Sequence, residues 1–421
     1  EQRVLHLWLK DWFDHCVPLP RPAMVDLTSG SGAAEQRLNK GCYTYDWIRF
    51  DNSERARERR REIGWMTAEV VESGGYILNG TEVEVRHPIA RRYFSVEELP
   101  AAHELGTFSS TAWYTCDTTV PGTVFQHPAV NWDAANPVAL LCAGSGYDPG
   151  GGFLSGGRHA LEEALMVQTS AWPAVDYIQE FPWISDGSCV IVNDVVLFRH
   201  GSEKGYQFVE TPVPIILAIS AAFNRNPYVN NTPLDAPEDF DTYRDGLLER
   251  LRLAFHAAAA EGAKQLVVTD IGCGVFKNDP EVVGDIMGTL LSEITNLGWY
   301  DCIFITGSSS FKDAVMWHCP RDSVQPAPVA ASSPPMSWVD CERQSVDACC
   351  QTVDEVACEE RPAWSEGLEQ KPGAIDVLGI AARRFQRGSR AVRFSIAGIT
   401  AVCLSLIVAR SRGVMARRVR G

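Results

Sequence analysis

Asp148-Pro149-Gly150-Gly151-Gly152-Phe153-Leu154-Ser155-Gly156-Gly157-Arg158-His159-Ala160-Leu161-Glu162-Glu163 is the stretch whose reading decides the fold. Before it runs Pro137-Val138-Ala139-Leu140-Leu141-Cys142-Ala143, short, apolar and without helical period, which predicts a buried strand. After it, Ala164-Leu165-Met166-Val167-Gln168-Thr169 predicts a helix with Glu162 and Glu163 in its first turn. The unit is therefore strand, glycine-rich loop, and helix opening on two carboxylates. Glycines serve where backbone turns with positive φ or approaches a ligand closely. Successive loop N–H groups near a helix N-terminus suit phosphate oxygens. The stretch points to a phosphate-bearing ligand with an acid beside it.

A second stretch repeats the arrangement. Val267-Val268-Thr269-Asp270-Ile271-Gly272-Cys273-Gly274-Val275-Phe276-Lys277-Asn278-Asp279-Pro280 again joins an apolar strand to glycines and then to a helix. Two such loops can grip one diphosphate from both sides. Around them strands and helices alternate. Val190–Phe198 predicts a strand pair or hairpin, Val213–Ile219 a buried strand, Phe240–Glu261 a helix, Gln265–Thr269 a strand, Val282–Thr295 a helix and Cys302–Thr306 a last strand. This is the cadence of an α/β layered domain with a mixed, largely parallel sheet. In such sheets ligands bind outside the carboxyl ends of the strands, where both glycine loops fall.

Upstream, Ser53–Ser73 has helical period and is stopped by Gly74-Gly75. Tyr76–Val85 predicts a hairpin turning on Asn79-Gly80, a pair that reaches φ > 0 cheaply. Leu5–Phe13 can form a short amphipathic helix within an otherwise uncharacterised segment 1–52. The expected organisation is 53–135 as an accessory helical and hairpin segment, 136–320 as the catalytic α/β domain, 321–380 as a linker and 381–421 as a basic tail. The linker is proline-, serine- and acid-rich and cannot bury enough surface to offset its chain entropy.

Charge sharpens the functional class. The formal net charge is −15, yet from Lys371 onward eleven Lys and Arg face one acid, Asp376, a segment charge of +10 that leaves −25 for everything before it. An acidic body argues against a broad nucleic-acid surface, since phosphate affinity of that kind rests on Lys and Arg. The 13 cysteines include the group Cys341, Cys349, Cys350 and Cys358, which lacks CxxC spacing and nearby histidines. With no secretory signal at the start, the cysteines are expected as reduced thiols in an intracellular protein, and no metal site is expected. Phe394–Ala409 is free of charge for 16 residues and bracketed by arginines. As a helix it would span ~24 Å, compatible with a membrane contact in a thin bilayer and equally with an amphipathic or partner-bound helix.

The two loops together resemble the microbial-type poly(ADP-ribose) glycohydrolases, whose catalytic unit is a macrodomain carrying GGG, a spacer and QEE. Here the pattern is Gly150-Gly151-Gly152, eight residues, then Leu161-Glu162-Glu163. GCGVFKNDPEVV, from Gly272, is similar to the family's diphosphate-binding loop, and Arg59–Val85 is similar to its accessory N-terminal segment. The resemblance implies a macrodomain-like three-layer α/β/α fold and cleavage of ribose–ribose O-glycosidic bonds of poly(ADP-ribose) or of ADP-ribosylated proteins, without cofactor or metal. It implies Glu163 as the acid and base and Glu162 as the group that binds ribose hydroxyls. Asp148, Gly150, Gly151, Gly152 and Phe153 would line the substrate on one side, and Gly272, Cys273, Gly274, Val275 and Phe276 on the other.

Neighbours i and i+1 on a helix point about 100° apart, so Glu162 and Glu163 cannot address one bond from one side. A helix N-terminus lowers a carboxyl pKa, while a bound pyrophosphate raises it, so Glu163 is expected to become a competent acid mainly when substrate is present. Asn278 is expected to bond a loop carbonyl, and Cys273 not to act as a nucleophile. Three positions depart from the family pattern: Leu161 replaces the glutamine, and Asp148 and Cys142 replace asparagines. They leave two other readings open, an ADP-ribose-binding module with little turnover and a hydrolase of another ADP-ribose derivative.

Overall fold

The computed structural model describes residues 23–27 and 49–320, apart from 133–135, 180–181 and 230–231. The helix expected over Leu5–Phe13, the cysteine group, the linker 321–380 and the tail with its run 394–409 lie outside the described residues. No helix among the described residues is long and apolar enough to cross a membrane.

The strand before the first glycine loop is the centre of the molecule. Five of the six residues of β6 (Val138–Ala143) are buried, as expected for a strand covered on both faces. It lies in a seven-stranded sheet of order β4-β7-β8-β6-β9-β10-β5, with β4 Ile89–Tyr93, β5 Ala112–Thr115, β7 Cys189–Arg199, β8 Phe208–Ser220, β9 Gln265–Val268 and β10 Cys302–Ile305. β8, β6, β9, β10 and β5 run parallel, while β7 and β4 are antiparallel to their neighbours. The sheet is mixed and largely parallel, as the alternation of elements predicts.

Successive side chains on a strand face opposite ways, and this sorts the core into two layers. Ala139, Leu141, Ala218, Leu266 and Ile303 pack against Leu247, Leu251 and Ala254 of α6 (Phe240–Ala260), Met287 and Leu290 of α7 (Pro280–Leu297), and Phe311 of α8 (Ser309–Trp317). Leu140, Cys142, Val192, Leu217 and Val267 pack against Val120 and Val124 of α3 (Val120–Gln126), Leu165 and Met166 of α4 (Leu161–Gln168), and Val175 of α5 (Trp172–Ile178). The result is the expected three-layer α/β/α arrangement. A minor helix, α2 (Ala102–Leu105), precedes β5.

The accessory elements form as read. Helix α1 (Glu54–Ser73) is capped by the Ser53 hydroxyl, which accepts from the Ala56 N–H, and ends on Gly74 at φ 77°. Strands β2 (Gly75–Leu78) and β3 (Thr81–Glu84) turn on Asn79 and Gly80, both at positive φ, and β1 (Val25–Asp26) pairs parallel with β2. Their core, Val70, Val71, Tyr76, Leu78 and Val83, closes on Val196 and Phe198 of β7.

Two expectations are corrected. Val190–Phe198 belongs to one continuous 11-residue strand, β7, in which Asp194 at φ 57° marks a bulge between Val192 and Val195 where a turn was read. The boundary at 135/136 runs through the sheet, because β4 and β5 come from the stretch assigned to the accessory segment yet form its two edges. Both strands are short and amphipathic, and their edge positions give them no continuous apolar signature.

Candidate active site

Because β8, β6 and β9 run parallel, the loops that follow them emerge at one edge of the sheet: 221–239, 144–160 and 269–279. The two glycine loops follow hydrogen-bonded neighbours, which brings them to one site.

Glu162 lies beneath the first loop, 4 % exposed. Its Oε2 accepts from the Ser145 N–H and its Oε1 from the Gly150 N–H, both at 2.7 Å, so one carboxyl ties the start of the loop to its glycine turn. Burial pushes its pKa well up, the neighbouring Glu163 pushes the same way, and the two N–H donors pull down. Both oxygens are engaged by backbone, so Glu162 braces the loop, and each oxygen retains a second lone pair for the expected ribose hydroxyl.

Glu163 points elsewhere, as the helical offset requires. Its Oε1 accepts from the Gly152 N–H at 3.3 Å, and a Cβ on Gly151 would lie 2.2 Å from the same oxygen. Gly151 also holds φ at 55°, so glycine is required there twice over. Burial raises the Glu163 pKa to about 7, outweighing the N–H groups of its own turn and of Gly152, with Asp148 adding to the rise. Burial already moves this carboxyl in the direction that bound pyrophosphate was expected to supply.

The first loop uses its own N–H groups internally. Gly150 donates to Glu162, Gly151 to the Asp148 carbonyl and Gly152 to Glu163, so these glycines make room and aim carboxylates where ligand donors were expected. Asp148 sits at the turn, its N–H donating to the Ser145 hydroxyl at 3.0 Å. Phe153 is corrected from substrate contact to core. Only 1 % exposed, it packs edge-to-face on Trp172 at 5.1 Å and beside Ile63 of α1. Leu161 packs against the same apolar layer, and Cys142 is fully buried with its thiol pKa pushed well up.

The second loop is built differently. Asn278 is its anchor: Nδ2 donates to the carbonyls of Phe223 at 2.8 Å and Gly272 at 3.0 Å, and Oδ1 accepts from the Tyr243 hydroxyl at 2.8 Å. The expectation that Asn278 holds loop carbonyls agrees with this geometry. Gly272, at φ 74°, has no room for a Cβ between Ala222 and Asn278. Gly274 faces open space and Val275 is 55 % exposed. Among the described residues, no hydrogen bond takes the N–H groups of Gly274, Val275 or Phe276. Burial, Asp270 and Asp279 raise the Cys273 thiol pKa far above its ordinary value, keeping it protonated at neutral pH.

The loop after β8 was absent from the expected site, and it fastens the other two together. Asp235 accepts from the Tyr147 hydroxyl at 3.1 Å on the first loop and from the Asn224 N–H at 2.6 Å on its own. The Arg225 N–H donates to the Phe276 carbonyl, and Asn226 Nδ2 donates to the Val275 carbonyl at 2.7 Å. The run Asn224-Arg225-Asn226-Pro227 following a buried strand was its sequence signal, a dense turn former at a carboxyl end.

No group of three or more His, Cys, Asp or Glu side chains among the described residues is arranged to hold a metal ion. A scan against protein-family profiles found no match, and a search of curated proteins found none. Solved structures do match. The crystal structure of poly(ADP-ribose) glycohydrolase from Thermomonospora curvata superposes with TM-score 0.51 at 23 % identity, covering 62 % of this chain and 100 % of that one. A single-residue mutant of the same enzyme gives TM-score 0.51 at 24 % identity over the same shares. By these likenesses the chain carries the α/β/α fold of that bacterial structure.

Proposed function

We propose that this chain is an ADP-ribosyl glycohydrolase that cleaves ribose–ribose O-glycosidic bonds of poly(ADP-ribose). The observation that carries the proposal is Glu163, a carboxyl held by the Gly152 N–H at the sheet edge from which both glycine loops emerge, its pKa raised by burial to about 7. A group poised near the working pH can both give and take a proton. Protonated Glu163 passes its proton to the departing ribose oxygen as the C1–O bond breaks, and the positive charge at C1 is relieved by water. The Glu163 carboxylate accepts that water's proton, which restores the acid. One water is consumed, and ADP-ribose and a shortened chain are released. The second loop supports the phosphate end of the reading, because the backbone of Gly274, Val275 and Phe276 is free to donate to a diphosphate. The fold shared with the Thermomonospora curvata enzyme is consistent with the same substrate.

No step in this sequence needs a metal, and treatment with EDTA is expected to leave the rate unchanged. The alternative, an ADP-ribose-binding module, draws support from Leu161, which turns an apolar side chain into the core at the position where the resemblance expects a polar one. The deciding experiment is ADP-ribose release from purified poly(ADP-ribose) together with ADP-ribose binding. Release with binding supports the hydrolase, and binding without release supports the module. Loss of both overturns the reading.

A further inference from the structure

The carboxyl-bearing loop is held from outside its own domain layer, by helix α1. Three close approaches define the contact. A Cβ on Gly64 of α1 would lie 2.5 Å from the Phe153 carbonyl oxygen, and a Cβ on Gly156 of the loop would lie 2.3 Å from the Arg57 carbonyl oxygen. Farther along, the Thr67 hydroxyl donates to the Val167 carbonyl at 2.8 Å, tying α1 to the far end of α4. Arg60 is the polar centre of this contact. It is 1 % exposed, and its guanidinium forks: Nε donates to the Gly156 carbonyl at 3.0 Å and Nη1 to the Asp51 carbonyl at 2.9 Å.

Burying a guanidinium costs several kcal/mol unless its donors are used, so the fork has to serve a specific geometry to be retained here. That geometry leads to Glu163. Gly156 and Gly157 fold back on Gly152: the Gly157 N–H donates to the Gly152 carbonyl at 2.8 Å. A Cβ on Gly157 would lie 2.9 Å from the Gly152 Cα. The Gly152 N–H in turn donates to Glu163 Oε1. The path from Arg60 to the acid is one backbone turn long.

We propose that Arg60 of the N-terminal helix is a positioning residue for the hydrolysis, holding the 152–157 turn so that the Gly152 N–H orients the Glu163 carboxyl. The proposal rests on the glycohydrolase reading for its effect on rate, and on the hydrogen-bond path alone for its effect on the loop. With Arg60 removed, the turn is free to rotate, and Glu163 loses the N–H that stabilises its ionised form. That loss raises the carboxyl pKa, so the alkaline limb of the pH–rate profile, set by the proton Glu163 has to donate, moves to higher pH.

The test uses the full chain as Arg60→Met, Arg60→Lys and Gly64→Ala, with Arg61→Met as control, since Arg61 pairs only loosely with Glu54 at 3.7 Å. Circular dichroism verifies folding, and hydrogen exchange at the Gly152 and Gly157 amides reports the turn directly. Arg60→Met is expected to lower kcat by ~10²-fold with KM and ADP-ribose binding within about threefold, as a displacement near 1 Å at a reacting group does. Exchange at both amides should rise. Arg60→Lys keeps the charge but cannot fork, and should recover part of kcat; it supplies the same readouts if Arg60→Met does not fold. Gly64→Ala favours the helix by about 1 kcal/mol in propensity and is expected to harm turnover all the same, because it pushes on the Phe153 carbonyl. Unchanged exchange in a folded Arg60→Met or Arg60→Lys protein overturns the clamp. So does a fall in kcat matched by an equal loss of binding. If the unsubstituted chain releases no ADP-ribose, the glycohydrolase reading fails by itself, and amide exchange still decides whether Arg60 holds the turn.

Discussion

The two glycine loops sit side by side at the carboxyl ends of neighbouring strands, yet they are stabilised by opposite chemistry. The first is threaded by carboxylates: Glu162 and Glu163 accept from Gly150 and Gly152, and a buried arginine holds the far turn. The second is held by a neutral amide, Asn278, and leaves its outer N–H groups unengaged within the described residues. A loop that carries an acid has to manage buried charge, and it does so by consuming its own backbone donors. The second loop keeps its outer donors free, and Asn278 holds its carbonyls without adding a charge to those of Asp270 and Asp279 that flank it. One glycine-rich pattern is therefore anchored in two ways, and the side chains that anchor it tell the loops apart.

Substitutions can break this contrast. Glu163→Gln removes the proton carrier and is expected to lower ADP-ribose release by ~10²- to 10⁴-fold while ADP-ribose binding, measured by calorimetry, persists. Gly151→Ala and Gly272→Ala separate the loops next. Both glycines hold positive φ, but the new methyl at 151 displaces Glu163 Oε1, whereas that at 272 presses on Ala222 and Asn278. The first should reduce kcat by ~10²-fold with binding nearly intact, and the second should weaken binding more than kcat. Gly274→Ala, which meets nothing, should change neither; equal effects at 151 and 272 would erase the distinction.

Smaller effects sharpen it. Asn278→Ala leaves the Tyr243 hydroxyl and two carbonyls without their partner and should cost about 1–3 kcal/mol in chemical denaturation, with weaker ADP-ribose binding. Stability should also depend on pH through the first loop. The Glu163 pKa is raised in the folded protein from 4.5 to about 7, so the folded state holds a proton that the unfolded state has lost across that interval. Stability then falls as pH rises through the interval, and Glu163→Gln should gain melting temperature over its parent more at pH 8 than at pH 4. Cys273→Ser should leave turnover within about twofold, because a thiol held so strongly protonated is no nucleophile.

The loops, their flanking strands and the helix spans were legible because glycine pairs, apolar runs and caps are local signals. Ser53, Gly74 and Asn79-Gly80 all stand where the chain turns as read. The side chain of Phe153 was not legible. An aromatic residue after three glycines looks the same whether it faces ligand or core, and only the packing of α1 and Trp172 decides. Arg60 was hidden in an arginine-rich run that reads as a solvated helix face. Its position was nevertheless on the apolar stripe, three before Ile63 and seven before Thr67, and that spacing was the available signal. The backbone hold on Glu162 was not legible, since which N–H groups meet a carboxyl depends on how the loop above it folds back.

The edge strand β5 has a consequence for how the chain is made. Ala112–Thr115 pairs with Cys302–Ile305, its neighbour in the sheet, and those partners follow it by 190 positions in sequence. During synthesis β5 leaves the ribosome long before any strand exists for it to join, and it has to remain unpaired until almost the whole described fold has been translated. Closing so large a loop is entropically slow, so docking of β5 should be among the last events on the folding pathway. A chain stopped short of Cys302 would present both an unjoined strand and the bare flank of β9 to other molecules, and is expected to aggregate.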